Sequence, residues 1–182
     1  VPAELTQVEN LYGVESDGTK AEKQNLLPLG FSITYRKNRP FHHTLHLVPK
    51  TVVLGIGCKR GTEAESIRAL IRETLEQNQI FKESICLIAS IDLKKDEEGI
   101  RICAEELGVP FVTWSAEELE QVRSEDGFTE SAFVRSVAGV GNVCERSALK
   151  GAGTSRLLIR KTAHNGVTVA AAVKDYTVCM ED

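Results

Sequence analysis

Two glycine-rich stretches and one charged loop in this sequence have the make-up of anion-handling sites. The first runs Gly55-Ile56-Gly57-Cys58-Lys59-Arg60-Gly61-Thr62. Its glycines let the chain turn tightly and let a ligand approach the backbone. A helix that follows such a turn offers free N–H groups to an anion or a developing oxyanion. Gly57, Cys58, Lys59, Arg60, Gly61 and Thr62 are therefore candidate ligand contacts, with Lys59 and Arg60 supplying mobile positive charge. A structural turn would use the same glycines. The pattern is not a Walker loop, and it misses Gly-x-Gly-x-x-Gly by one residue, so a nucleotide-binding reading lacks both fingerprints. Cys58 opens the presumed helix, a setting that lowers a thiol pKa. No His partner accompanies it in sequence, so covalent catalysis lacks its base.

The second stretch is Gly139-Val140-Gly141-Asn142-Val143-Cys144-Glu145-Arg146. Here Arg146 is a candidate carboxylate clamp, Glu145 a candidate general base, and Gly141 and Asn142 candidate backbone contacts. Asn142 and Glu145 also have capping-box spacing, and as a structural reading that explains the pair better than chemistry does. The third is Asp92-Leu93-Lys94-Lys95-Asp96, just beyond an apolar strand. Ligands in open α/β sheets gather at such strand ends, which makes Asp92 a second candidate carboxylate and Lys94 a candidate contact. A solvated charged loop would look the same, and Asp96 reads as a helix cap. His164 beside Lys161 completes the candidate contacts, although a histidine in a surface turn needs no function. His42, His43 and His46 do not make a metal set, because neither helical spacing nor cysteine spacing supports one.

The elements that must position these residues follow from hydrophobic periodicity. Val52 to Ile56 and Ile85 to Ile91 are continuous apolar runs, the mark of strands buried on both faces. Between them Ile67, Leu70, Ile71 and Leu75 recur at helical spacing. Asp96 to Gly108 predicts a second helix, and Val109 to Thr113 a short third strand. Ser115 and Glu118 have capping-box spacing, and Thr129 is placed to cap a helix containing Val134 and Val137. Arg156 to Lys161 and Val167 to Val173 predict a hairpin through Asn165-Gly166. The fold class expected is α/β, a mixed and mostly parallel sheet flanked by helices, with an antiparallel hairpin at the carboxy-terminal end. Upstream, residues 31–35 and 44–48 alternate like strands. Two strands make no core of their own, so residues 1–50 read as a linker or part of a domain and residues 51–182 as an α/β domain.

Bulk properties narrow the function classes. The chain has 182 residues, 42% of them apolar and 26% charged, with a formal net charge of -4. That composition is globular, and its balance argues against general nucleic-acid binding, which needs a basic face. Five cysteines at 58, 86, 103, 144 and 179 show no close pairing and predict reduced thiols. No apolar run reaches membrane-spanning length and no signal-peptide pattern opens the chain, so the expectation is a cytoplasmic protein without membrane partners. The chain begins with Val1, which leaves open that it is a fragment or a processed product.

Four ordered blocks carry a resemblance to a known family. They are Val53 to Thr62, Ile91 to Glu97, Gly139 to Ala148 and Lys161 to Ala170. In these the chain resembles the cobalt-precorrin-5A hydrolases, the CbiG proteins, in their carboxy-terminal domain, while residues 1–50 resemble the end of the family's middle segment. The resemblance implies an α/β fold and a role in cobalamin biosynthesis. It implies hydrolysis of the ring A δ-lactone of cobalt-precorrin-5A, giving cobalt-precorrin-5B and acetaldehyde. The partner implied is the cobalt-precorrin tetrapyrrole, with other cobalamin-pathway enzymes as further candidates. Cobalt would arrive with the substrate, so no cofactor and no protein metal site are expected. The alternative weighed is a module that binds or hands on corrinoid intermediates without chemistry of its own.

Overall fold

The computed structural model describes residues 27–178, except the side chains of Leu27, Pro28 and Phe133. Cys179 and the stretch before Leu27 lie outside the described residues. Within them the chain builds a five-stranded sheet in the order β5-β4-β3-β7-β6 and a separate pair, β1-β2. The large sheet uses β3 (Val52–Cys58), β4 (Ile85–Ile91), β5 (Phe111–Trp114), β6 (Leu157–His164) and β7 (Val167–Val173). β3, β4 and β5 pair in parallel, whereas β7 is antiparallel to both β3 and β6. This is the mixed α/β sheet with a terminal hairpin that the apolar runs and the Asn-Gly turn predict. Asn165 at φ 48 and Gly166 at φ 81 give that turn two residues in the left-handed region, as a primed two-residue turn requires.

Strand alternation decides which helix covers which face. Val52, Leu54 and Ile56 of β3 join Val167, Val169 and Ala171 of β7 in one core with Ile67, Leu70 and Leu75. Those last three lie on α1 (Ala64–Gln77), and Ile100 and Cys103 of α2 (Glu98–Leu107) join the same core. On the other face Ala170 and Ala172 meet Cys144, Ala148 and Leu149 of α5 (Val143–Ala152). The residues on this second face are small for a reason. A Cβ on Gly55 would strike the Cys144 carbonyl oxygen and lie 2.7 Å from the Ala148 nitrogen, so glycine lets α5 cross β3 in backbone contact. Val143 lies nearest Gly57, Cys144 and Ala148 nearest Gly55, and Gly151 nearest Val53. α5 therefore runs antiparallel to β3 and starts at the carboxyl end of the parallel strands.

Two helix starts differ from the sequence expectation. α2 begins one residue beyond the anticipated cap: Glu97, not Asp96, holds that position, and its side chain makes no capping bond. Gly108 does terminate it, at φ 63. α4 (Ala132–Ala138) is capped by Ser131, whose hydroxyl accepts from the Val134 amide; Thr129 is drawn elsewhere, as described below. The box of Ser115 and Glu118 forms in full at the start of α3 (Ala116–Glu120).

β1 (Leu27–Ile33) and β2 (Phe41–Leu47) pair in parallel. They join the main body near the start of β4, through the Phe81 amide to the Tyr35 carbonyl at 2.9 Å and the Lys37 amide to the Gln79 carbonyl at 2.6 Å. That is the opposite end from the start of α5.

Candidate functional site

At one edge of the large sheet the carboxyl ends of β3, β4 and β5 meet the turn between β6 and β7. Pairing places Ile91 beside Trp114, Cys58 beside Val167, and Val167 beside His164. The loops after β3 and β4, the start of α5 and the Asn165-Gly166 turn thus share this edge. Gly57 meets α5 there, since a Cβ on it would lie 3.8 Å from the Val143 Cβ.

The β3–α1 loop is an N–H cradle of the kind its glycines predict, but the anion in it belongs to the chain itself. Oε1 of Glu97 accepts from the Gly61 amide at 2.5 Å, and the Thr62 backbone contributes as well. Oε2 of Glu97 holds the Lys94 ammonium at 3.1 Å. Glu97 is only 9% exposed. Burial would raise its pKa, yet the bonds from Lys94 and Gly61 outweigh it and hold the carboxyl below its ordinary 4.5. Gly99 lets the start of α2 come this close, because a Cβ there would strike the Thr62 carbonyl oxygen. Behind the cradle, the Lys59 amide donates to the Gly166 carbonyl at 3.2 Å, and Thr168 Oγ1 donates to the Gly57 carbonyl at 3.2 Å.

Cys58 sits half-buried beside this ion pair. Burial pushes its thiol above the ordinary value, against the opposing pull of Lys94. A protonated thiol is a poor nucleophile, and the reactive-cysteine option gains nothing from its surroundings. Lys59, Arg60 and Gly61 are exposed and Thr62 half-exposed. Thr62 Oγ1 donates to the Lys59 carbonyl at 2.7 Å, which tightens the loop.

The second glycine stretch is closed rather than open. Gly141, Asn142, Glu145 and Arg146 are all buried. The segment before α4 lies over them, with the Ser131 amide donating to the Gly141 carbonyl at 2.8 Å and Asn142 Nδ2 to the Thr129 carbonyl at 2.9 Å. Glu145 is fully buried and well supplied with donors: the Thr129 amide at 2.9 Å, the Lys161 amide at 2.8 Å, Asn142 Nδ2 at 2.6 Å and Thr129 Oγ1 at 3.3 Å. Thr129 therefore serves Glu145 instead of capping α4. Asn142 caps α5 by accepting from the Glu145 amide at 2.9 Å, half of the box that the spacing predicts.

Arg146 is likewise committed inside the protein. Its guanidinium donates to the carbonyls of Leu119, Glu120 and Val122 at 3.1 to 3.4 Å and to Glu130 at 2.8 Å. It also stacks 4.0 Å from the centre of the Phe128 ring. A buried fork with these partners has little left for a ligand carboxylate. The geometry thus favours structural work for Glu145 and Arg146 over the general-base and clamp roles that their spacing suggested.

What remains available at the edge is side-chain charge. Lys94 is 16% exposed and has one side-chain partner among the described residues, Glu97, for three donors. Asp92 after β4 and His164 at the end of β6 are exposed, with β3 and β7 between their strands, and Lys161 is half-exposed. Sequence reasoning missed Glu97, 36 residues from the amide it binds, because no local pattern announces so distant a contact. Thr129, Glu130 and Thr168 escaped it for the same reason. Among the described residues no group of three or more His, Cys, Asp or Glu is placed to hold a metal ion, and no helix is long and apolar enough to cross a membrane.

Residues 52–172 match the family described as cobalamin synthesis G C-terminus. A cobalt-precorrin-5A hydrolase from Priestia megaterium is 34% identical over 128 residues, which is 70% of this chain and 33% of that protein. The cobalt-precorrin-5A hydrolase of Salmonella typhimurium is 38% identical over 127 residues, 70% of this chain and 35% of that protein. The chain thus spans about a third of the length of these curated relatives. Among solved structures, CobE, a protein from the cobalamin (vitamin B12) biosynthetic pathway, superposes with a TM-score of 0.63 at 31% identity, covering 72% of this chain and 94% of that one.

Proposed function

The chain belongs to the cobalamin synthesis G C-terminus family, with its role in cobalamin biosynthesis, and from that premise we propose that it opens the ring A δ-lactone of cobalt-precorrin-5A. The observation that carries this reading is the strand-end edge with its side-chain cations. The Gly61 cradle is taken by Glu97 and the second glycine stretch is buried, so the acetate and propionate arms of a macrocycle would meet Lys94, Lys59, Arg60 and Lys161 instead.

Lactone opening needs a base for water and a positive group for the oxyanion. Asp92 is an exposed carboxylate directly after β4 and takes the base role in the proposal, while Glu145 is withdrawn by burial. Water adds to the lactone carbonyl and gives its proton to Asp92, with the oxyanion facing Lys94. Collapse breaks the acyl C–O bond and yields a carboxylic acid and an alkoxide. The alkoxide then becomes the carbonyl of acetaldehyde as its C–C bond breaks, and that electron pair passes into the macrocycle. Cobalt travels with the substrate in this scheme.

A second reading, a module that binds and passes on the macrocycle, is favoured by one observation. The chain covers nearly all of the CobE chain but only about a third of the hydrolases. Anaerobic incubation of the chain with cobalt-precorrin-5A, read by macrocycle mass and by trapping acetaldehyde, separates the two. Loss of the two-carbon unit with trapped aldehyde is the expected result. Tight binding with unchanged mass leaves the handover reading, and absence of both removes each of them.

A further inference from the structure

Glu97 has a partner set unlike that of any other carboxylate at the strand-end edge. One oxygen ties down the β3–α1 loop through Gly61, and the other holds Lys94 from the β4–α2 loop. The two loops come from neighbouring strands, and among the hydrogen bonds of the described residues no other side chain bridges them. Glu97 lies at the N-cap of α2 yet makes no capping bond. A capping role therefore does not explain why a carboxylate sits there, 9% exposed, facing a loop 36 residues away.

We propose that Glu97 is a positioning residue: it locks the two strand-end loops together and presents the Lys94 ammonium, with unused donors, to an anionic oxygen of the ligand. The inference deepens the macrocycle reading above and rests on it for the identity of the ligand, though not for the clamp itself.

Physical chemistry favours this arrangement over a free surface lysine. An ammonium on a four-carbon stem loses much rotamer freedom when it binds, and a lysine already held by a buried carboxylate has lost that freedom beforehand. Partial burial also strengthens its attraction for an anion relative to exposed Lys59 or Arg60. The Glu97 charge keeps the partly buried ammonium in balance beside half-buried Cys58. Cys58 in turn reports on the pair, since Lys94 lowers its pKa and Glu97 raises it.

The test uses Glu97→Gln in the full chain, with Arg72→Ala on the exposed side of α1 as control. Glutamine can still accept from Gly61 but cannot neutralise Lys94. Three readouts are taken: the Gly61 amide proton shift, the rate of Cys58 alkylation by iodoacetamide followed on its own peptide, and titration with cobyrinic acid as a carboxylated corrinoid probe. The expected result is an upfield move of the Gly61 amide, faster alkylation of Cys58 at neutral pH, and roughly tenfold weaker probe binding. Glu97→Asp, which restores the charge one methylene short, is expected to recover part of the alkylation rate. Unchanged Gly61 shift and unchanged Cys58 rate overturn the clamp, whatever the probe does. A moved amide and faster alkylation with undiminished probe binding also overturn the presentation of Lys94. If the wild-type chain binds no probe at all, the macrocycle reading fails while the first two signals still judge the clamp. Should Glu97→Gln not fold, Lys94→Met breaks the same pair from the other side: slower Cys58 alkylation is expected, and an unchanged rate overturns the clamp.

Discussion

Arginine and lysine at this edge behave differently because of what surrounds them. Arg146 keeps three carbonyls of the α3 region, Glu130 and the Phe128 ring as partners. Glu130 is 41% exposed, so the ion pair itself adds little and the buried carbonyls dominate. Arg146→Ala is expected to lower stability by about 2–3 kcal/mol in urea titrations, leaving probe affinity in the folded protein unchanged. Loss of affinity without loss of stability would return Arg146 to the ligand site. Glu97 allows a pH prediction with a definite sign. Its folded pKa is depressed, so its contribution to stability is complete above the ordinary 4.5 and is lost as pH falls through the lower folded value. The stability difference between wild type and Glu97→Gln should therefore be greatest near neutrality and shrink on acidification below about pH 4.5. A gap that stays constant from neutrality into that acid range would contradict the ion-pair assignment. At this scale the sequence was a partial guide. It marked Lys94 by its place after an apolar strand, but capping-box spacing could not reveal that Glu145 would be buried under Thr129.

Elements were far more legible. β3, β4 and the β6–β7 hairpin follow from apolar runs and from Asn165-Gly166, since burial on both faces and a primed turn leave local signatures. The cap of α2 was displaced by one residue because Asp96 and Glu97 are both acidic and only the tertiary contact with Gly61 distinguishes them. Likewise Ser131 and Thr129 are both competent caps, and the pull of Glu145 on Thr129 settles which one serves α4. The crossing of α5 over β3 depends on Gly55, and no single-sequence pattern reveals that two backbones touch. Gly55→Ala would drive a methyl into the Cys144 carbonyl, an atom fixed in the helix. We expect a loss of about 3 kcal/mol or more, measured by thermal and urea unfolding, because the helix must lift from the sheet. Wild-type stability in this variant would mean that α5 stands farther from β3 than described.

Across the whole molecule, a net charge of -4 means that a polyanionic ligand must find a local positive cluster. In the proposed reading the strand-end edge supplies it, through Lys94, Lys59, Arg60 and Lys161 from separate loops and strand ends. The opposite end carries exposed cations too, among them Arg72 and Lys82, so net charge alone does not choose between the ends. Titration with cobyrinic acid does, and the single Trp114 at the end of β5 provides the fluorescence signal. Lys94→Ala should weaken binding about tenfold at fixed salt, while Arg72→Ala leaves it at the wild-type value. Equal affinity in Lys94→Ala, or a loss confined to Arg72→Ala, would contradict placement of the macrocycle at the strand-end edge.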